Sequence, residues 1–163
     1  MSAAPALTAS DLAACLDSPA WVDAVLAAGP HADAPGLLAA ADAAARALPD
    51  ADVLAALHAH PRIGERPAGA GASEAFSRRE QSGVAADATT AQRLAAGNAA
   101  YEARFGHVFL VRASGRSAEE VLAALEQRLA NDPATEVAVA RHELREIALG
   151  RLTGLLGEEP PWA

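Results

Sequence analysis

An all-α fold is the expectation from three features of this 163-residue sequence. Apolar residues make up 52% of it but aromatics only 4%, so alanine, the best helix former, carries much of the apolar count. Helix start and stop signals recur along the chain at helix-length intervals. Only one short run reads as β-like. The length suits a single compact domain spanning 1–163, with about seven or eight helices.

Each element follows from local chemistry. Ser18-Pro19 reads as an N-cap followed by proline at the first helical position, opening a helix over Ala20 to Ala28 that stops at Gly29-Pro30. Pro35-Gly36 precedes a helix from Leu37 to Leu48, broken by Pro49. Asp50 or Asp52 caps a short helix through Val53, Leu54 and Leu57 toward His60. Pro61 to Gly71 holds the densest cluster of proline and glycine and must be a loop. A helix resumes near Ser73 and runs past Gln81. Thr89 with Gln92 suggests a capping box for a helix through Phe105, stopped by Gly106. His107 to Ala113 is the β-like run. Ser117 with Glu120 forms a second capping box, for a helix to about Leu129. Asn131-Asp132-Pro133 ends that helix and caps the last, whose apolar positions Val137, Leu144, Ile147, Leu152 and Leu155 recur at helical spacing.

Composition excludes several function classes. All 13 basic residues are arginine, against 21 acidic ones, for a net charge of −8. With no lysine there is no lysine imine, no lysine-anchored pyridoxal phosphate and no P-loop lysine. One cysteine, Cys15, excludes an intrachain disulfide and a thiolate-rich metal site; it reads as a small hydrophobe. An acidic chain without a basic run does not suit nucleic acid or anionic lipid. The first residues lack the basic n-region and apolar core of a secretory signal. No apolar stretch approaches the ~20 residues of a membrane span. A cytoplasmic protein with no nucleic-acid or membrane partner is expected.

Three segments carry candidate chemistry. His60 precedes Pro61, which pushes it out of the α region, so it projects at a helix–loop junction where an imidazole can pass a proton either way. The bland alternative is a surface histidine beside a loop. His58 and His60 lack a third ligand and helical zinc spacing, so no metal is expected. Ser77 and Glu80 share a helical face with Gln81 beside them, offering a hydroxyl, a carboxylate and an amide suited to a ureide-like ligand. The alternative is a solvated polar face around Arg78 and Arg79. Asn98, Tyr101 and Phe105 form one stripe; for Tyr101 and Phe105 core packing is the favoured reading. Phe109 to Ala113 has no partner strand in the sequence, so its backbone groups need other partners, and a ligand could supply them. Arg112, Arg116 and Arg151 are candidate forks for a carboxylate.

Taken in order, His60-Pro61-Arg62-Ile63-Gly64-Glu65, Ser77-x-x-Glu80-Gln81 and Asn98-x-x-Tyr101-x-x-Arg104-Phe105-Gly106-x-x-Phe109 resemble the 2-oxo-4-hydroxy-4-carboxy-5-ureidoimidazoline (OHCU) decarboxylase family. The resemblance covers nearly the whole chain, from the Trp21 helix to Arg151-Leu152. It implies an all-helical homodimer acting on a ureidoimidazoline substrate without metal or organic cofactor. By position, His60 matches the family's catalytic histidine and Glu80 its partner carboxylate. Pro61, Ser77, Arg78, Arg79, Glu80, Gln81, and Phe109, Leu110, Val111, Arg112 and Ala113 match its substrate-binding positions, with Arg151 as an arginine near the site. The implied reaction yields (S)-allantoin and CO2 in urate catabolism, with functional coupling to urate oxidase and hydroxyisourate hydrolase. Pro160-Pro161-Trp162-Ala163 is not a peroxisomal signal, so a bacterial cytoplasmic form is expected. Competing expectations are a ureide hydrolase in which Glu80 activates water, and a non-catalytic helical interaction module.

Overall fold

The computed structural model describes residues 4–65, 71–84 and 86–159. Among them are eight α-helices and one 3-10 turn, and no strand. The chain divides into two compact units, Met1–Ala56 with Arg141–Ala163, and Leu57–Ala140. Among the described residues no helix is long and apolar enough to cross a membrane.

The first unit opens with a helix that the start signals above did not identify. α1 (Ala9–Cys15) has a capping box in which Thr8 accepts from the Asp11 N–H at 3.1 Å and Asp11 accepts from the Thr8 N–H at 2.8 Å. The signal was local but carried aspartate where glutamate or glutamine is usual. α2 (Pro19–Ala27) starts as expected, capped by Ser18 with proline in its first turn. α3 (Ala34–Arg46) starts before Leu37, because Asp33 takes the Gly36 N–H at 2.8 Å and Pro35 fits the first turn. α4 (Asp50–Leu57) carries both aspartates in its first turn, where they complement the helix dipole. Trp21 is fully buried and donates its indole N–H to the Ala41 carbonyl at 3.0 Å, joining α2 to α3. Leu12, Val25, Leu37, Val53, Leu144 and Leu152 complete this core; each such side chain contributes roughly 1.5–3 kcal/mol on burial. In α8 (Pro133–Leu156), Leu144, Ile147 and Leu152 are buried as the periodicity predicts, whereas Leu155, one residue from the helix end, is exposed.

The second unit holds α5 (Ala72–Glu80), the 3-10 turn Gln81–Gly83, α6 (Ala88–Phe105), α7 (Ala118–Arg128) and the start of α8. The Thr89–Gln92 box does not form. Asp87 caps α6 instead, accepting the Thr90 N–H at 2.8 Å, since a carboxylate two residues earlier starts the helix sooner and caps it more strongly. Gly106 ends α6 in the left-handed region at φ 78°, as expected. The Ser117–Glu120 box forms as expected. Asp132 caps α8 by accepting the Thr135 N–H at 2.9 Å. α6 and α7 approach closely at Gly97, where a Cβ would lie 2.5 Å from Leu125 Cδ2. Tyr101, Phe109, Val111, Leu94, Val121 and Leu125 form the core between these helices.

Candidate functional site

The turn that ends α4 delivers His60, whose N–H bonds the Leu57 carbonyl at 3.1 Å. Pro61 prevents helical continuation. His60 is half-buried, with Nε2 shut away from solvent. The residues after it are anchored one by one. Arg62 forks onto Glu102, Nε at 2.6 Å and Nη2 at 3.1 Å. The hydrogen bonds and charge of Glu102 hold the Arg62 guanidinium above its ordinary pKa. The Ile63 side chain is buried in the core, and its carbonyl accepts from Asn98 Nδ2 at 3.0 Å. Gly64, at φ 89°, turns its N–H toward Gln81 Oε1 at 3.0 Å. Glycine is required there, because an L side chain would be strained at that φ.

Ser77 is buried in α5, while Glu80 and Gln81 are half-buried at its end. The Gly64–Gln81 bond therefore ties the segment carrying His60 to the segment carrying Glu80. Arg78 and Arg79 are exposed, and Arg79 lies over the Phe76 ring at 5.6 Å. The expected loop from Pro61 to Gly71 is irregular where described, through Glu65; residues 66–70 lie outside the described residues.

Residues 108–113 form no strand. Three carbonyls of this segment find their partners within the protein. The Leu110 carbonyl accepts from Arg128 Nη1, the Ala113 carbonyl from the Arg116 N–H at 3.0 Å, and the Val108 carbonyl pairs with His107 Nδ1 at 3.1 Å. Side chains of Phe109, Leu110, Val111 and Ala113 are buried. Arg112 bends back to the Ser114 carbonyl at 3.3 Å. Val108 and Arg112 are the half-buried side chains of this segment.

Behind it sits a polar cluster that sequence reasoning missed. Glu136 is fully buried and accepts from Tyr101 Oη at 2.5 Å, Arg128 Nε at 2.6 Å and Asn131 Nδ2 at 3.1 Å. Arg128 also lies over the Phe109 ring at 4.6 Å. Burial, then the hydrogen bond to Glu136, pushes the Tyr101 phenol well above its ordinary range. Tyr101 and Phe105 pack together with ring centroids 4.7 Å apart, in keeping with the core reading. Nothing in spacing alone marks Glu136 as buried.

Arg151 belongs to the first unit, where it is buried and donates to the Ala14 carbonyl at 3.2 Å. Cys15 is buried nearby in the same unit. Among the described residues no group of three or more His, Cys, Asp or Glu is placed to hold a metal ion. A cavity of about 510 Å³ lies against the anchored turn, lined by Arg62, Gly64, Asn98 and Glu102 among others. A second, of about 290 Å³, shares Glu102 with His58 and His107.

A family model described as OHCU decarboxylase matches residues 2–153. The 2-oxo-4-hydroxy-4-carboxy-5-ureidoimidazoline decarboxylase of Amia calva is 33% identical over 141 residues, covering 85% of this chain and 81% of that protein. The uric acid degradation bifunctional protein TTL of Arabidopsis thaliana is 38% identical over 113 residues, 66% of this chain but only 35% of that longer protein. The crystal structure of an OHCU decarboxylase in the presence of (S)-allantoin matches with a TM-score of 0.78 and 27% identity, covering 91% of this chain and 99% of that one. An (S)-allantoin synthase structure, at 22% identity and a TM-score of 0.68 over 48% of its length, shares the fold. The chain belongs to the OHCU decarboxylase family.

Proposed function

We propose that this protein decarboxylates 2-oxo-4-hydroxy-4-carboxy-5-ureidoimidazoline to (S)-allantoin and CO2. The observation that carries the reading is the family match over residues 2–153, which brings the ordered motifs around His60, Glu80 and Asn98 with it. That match runs through both compact units and supports treating them as one functional domain.

The chemistry suits a chain without lysine. As the C–CO2 bond breaks, its electron pair forms a C=C bond to the neighbouring ring carbon, and the ring C=N pair moves onto nitrogen. The ring nitrogen takes up one proton and the carbon bearing the ureido group another, and loss of the hydroxyl proton leaves the ring carbonyl of allantoin. The electron sink belongs to the substrate. The protein must hold the carboxylate out of the ring plane, stabilise the developing charge, and protonate one face only.

His60 is the proton donor in this scheme, and Glu80 orients the hydroxyl or ureido group. Pro61, Ser77, Gln81 and the backbone from Phe109 to Ala113 line the substrate. The family resemblance offers Arg78, Arg79, Arg112 and Arg151 as candidate cations for its carboxylate. A cytoplasmic homodimer, coupled to urate oxidase and hydroxyisourate hydrolase as sources of the unstable substrate, follows from the family resemblance.

The test generates OHCU in situ from urate and follows circular dichroism with and without the protein. Faster appearance of one allantoin enantiomer with CO2 release supports the reading; ammonia release indicates hydrolysis, and an unchanged decay indicates a non-catalytic module. General acid catalysis contributes about 10²–10⁴-fold, so His60→Ala must lose at least about a hundredfold in rate. A variant with the wild-type rate removes His60 from the mechanism.

A further inference from the structure

Asn98 and Glu102 are one helical turn apart on α6, and both reach the residues immediately following His60. Asn98 holds the Ile63 carbonyl, and Glu102 holds Arg62 through a bidentate fork. One residue further on, Gly64 is held by Gln81. Three consecutive residues are thus fixed, in different directions, within four positions of the histidine. A helix–loop junction carrying proline and glycine has no such rigidity of its own.

Asn98 is also an expensive choice for stability alone. It is 6% exposed, and its Oδ1 is buried without a hydrogen-bond partner among the described residues. An unmatched buried acceptor costs free energy that an apolar side chain of the same size would not. A side chain that only filled the core would be leucine.

We propose that Asn98 and Glu102 are positioning residues that set the backbone carrying His60 against the α5 segment carrying Glu80, and so fix the angle of proton delivery. The proposal rests on the decarboxylase reading above. Gln81 closes the same clamp from the other side, so its Oε1 acts as a tether rather than as an acceptor for substrate.

The decisive variant is Asn98→Leu. It removes the Ile63 anchor and the unmatched acceptor together, so the melting temperature stays within about 3 °C of wild type. The value of kcat falls by about ten- to a hundredfold, as expected for misplacement of the reacting groups by an ångström or less. KM stays within about twofold because Pro61, Ser77, Gln81 and the 109–113 backbone remain, and the enantiomeric purity of the allantoin drops. Glu102→Gln, on the solvent side of α6, gives the same split in smaller measure. The pair Arg62→Glu with Glu102→Arg restores what either single reversal loses.

Amide exchange at Gly64, measured in the protein without substrate, quickens about tenfold in Asn98→Leu. This readout separates the two ideas. Wild-type protein that leaves OHCU decay unchanged overturns the decarboxylase reading, while the exchange result still decides whether the clamp exists. Wild-type kcat in Asn98→Leu, a loss of activity that merely tracks a lowered melting temperature, or unchanged exchange at Gly64 overturns the proposal.

Discussion

Two ion pairs in this protein have similar nitrogen–oxygen distances, 2.6 and 2.5 Å, and unequal consequences for stability. Arg93 and Glu126 pair on the surface, with side chains 58% and 53% exposed. The Arg128 and Glu136 side chains are 8% and 0% exposed. Glu136→Ala strips a buried guanidinium of its counter-charge and leaves Tyr101 Oη and Asn131 Nδ2 without their acceptor. Breaking one side of a buried pair costs about 3–5 kcal/mol, which is a large share of the roughly 5–15 kcal/mol that separates folded from unfolded domains. For a chain of this length each kcal/mol is worth about 2–4 °C, so the melting temperature falls by about 6–20 °C. Glu126→Ala removes a screened, exposed pair worth about 0–1 kcal/mol. Urea unfolding followed by far-UV circular dichroism measures both. Arg128→Met with Glu136→Leu recovers much of the loss, since two apolar groups need no counter-charge. If Glu136→Ala costs no more than Glu126→Ala, burial does not govern the pair and the reasoning fails.

Tyr101 is the sole tyrosine, so its ionisation can be read directly from absorbance near 295 nm. Its folded pKa lies above the ordinary 10.0 because burial and the Glu136 hydrogen bond favour the neutral phenol. The stability this contributes is complete below pH 10 and is lost as pH rises through the folded value; the absorbance step should coincide with alkaline unfolding, and a step near pH 10 in folded protein would contradict the buried assignment. Two glycine substitutions should have opposite signs. Gly97→Ala places a Cβ 2.5 Å from Leu125, which is fully buried; overpacking of about 1–3 kcal/mol exceeds the roughly 0.5–1 kcal/mol gained in helix propensity. Gly154→Ala meets nothing within 4 Å and sits in the last turn of α8, so it should stabilise by up to about 1 kcal/mol. Thermal melts of the two variants check both signs.

Helix ends were legible in the sequence wherever their cause lies within about four residues. Ser18-Pro19, Ser117 with Glu120, and Gly106 each satisfy their own backbone groups, and each stands where the sequence places it. Asp87 outcompeted Thr89 because both were local and the carboxylate was the better cap. What spacing cannot supply is partnership across long separations. Asn98 meets Ile63 across 35 positions and Arg62 meets Glu102 across 40. The candidate residues His60 and Glu80 were recognisable only as part of an ordered set of motifs, since a lone histidine before proline has many bland explanations.

The third of those motifs acquires a physical meaning that its residue types alone did not suggest. Asn98, Tyr101, Glu102 and Arg104 lie within two turns of α6, and each bonds to another part of the protein. Asn98 and Glu102 hold the residues after His60. Tyr101 meets Glu136, which pairs with Arg128, which in turn holds the Leu110 carbonyl. Arg104 donates to the Asn131 carbonyl at 2.8 Å, and Asn131 donates to Glu136. One helix therefore anchors the two irregular segments, 60–64 and 108–113, that the proposed mechanism places against the substrate. Irregular backbone gains no rigidity from helical hydrogen bonds and must borrow it from side chains. A reaction that protonates a single face of a planar intermediate depends on that borrowed rigidity. On the proposed mechanism the motif on α6 belongs to the scaffold of the site, and substitutions in it should weaken turnover and stereochemical fidelity before they weaken substrate binding.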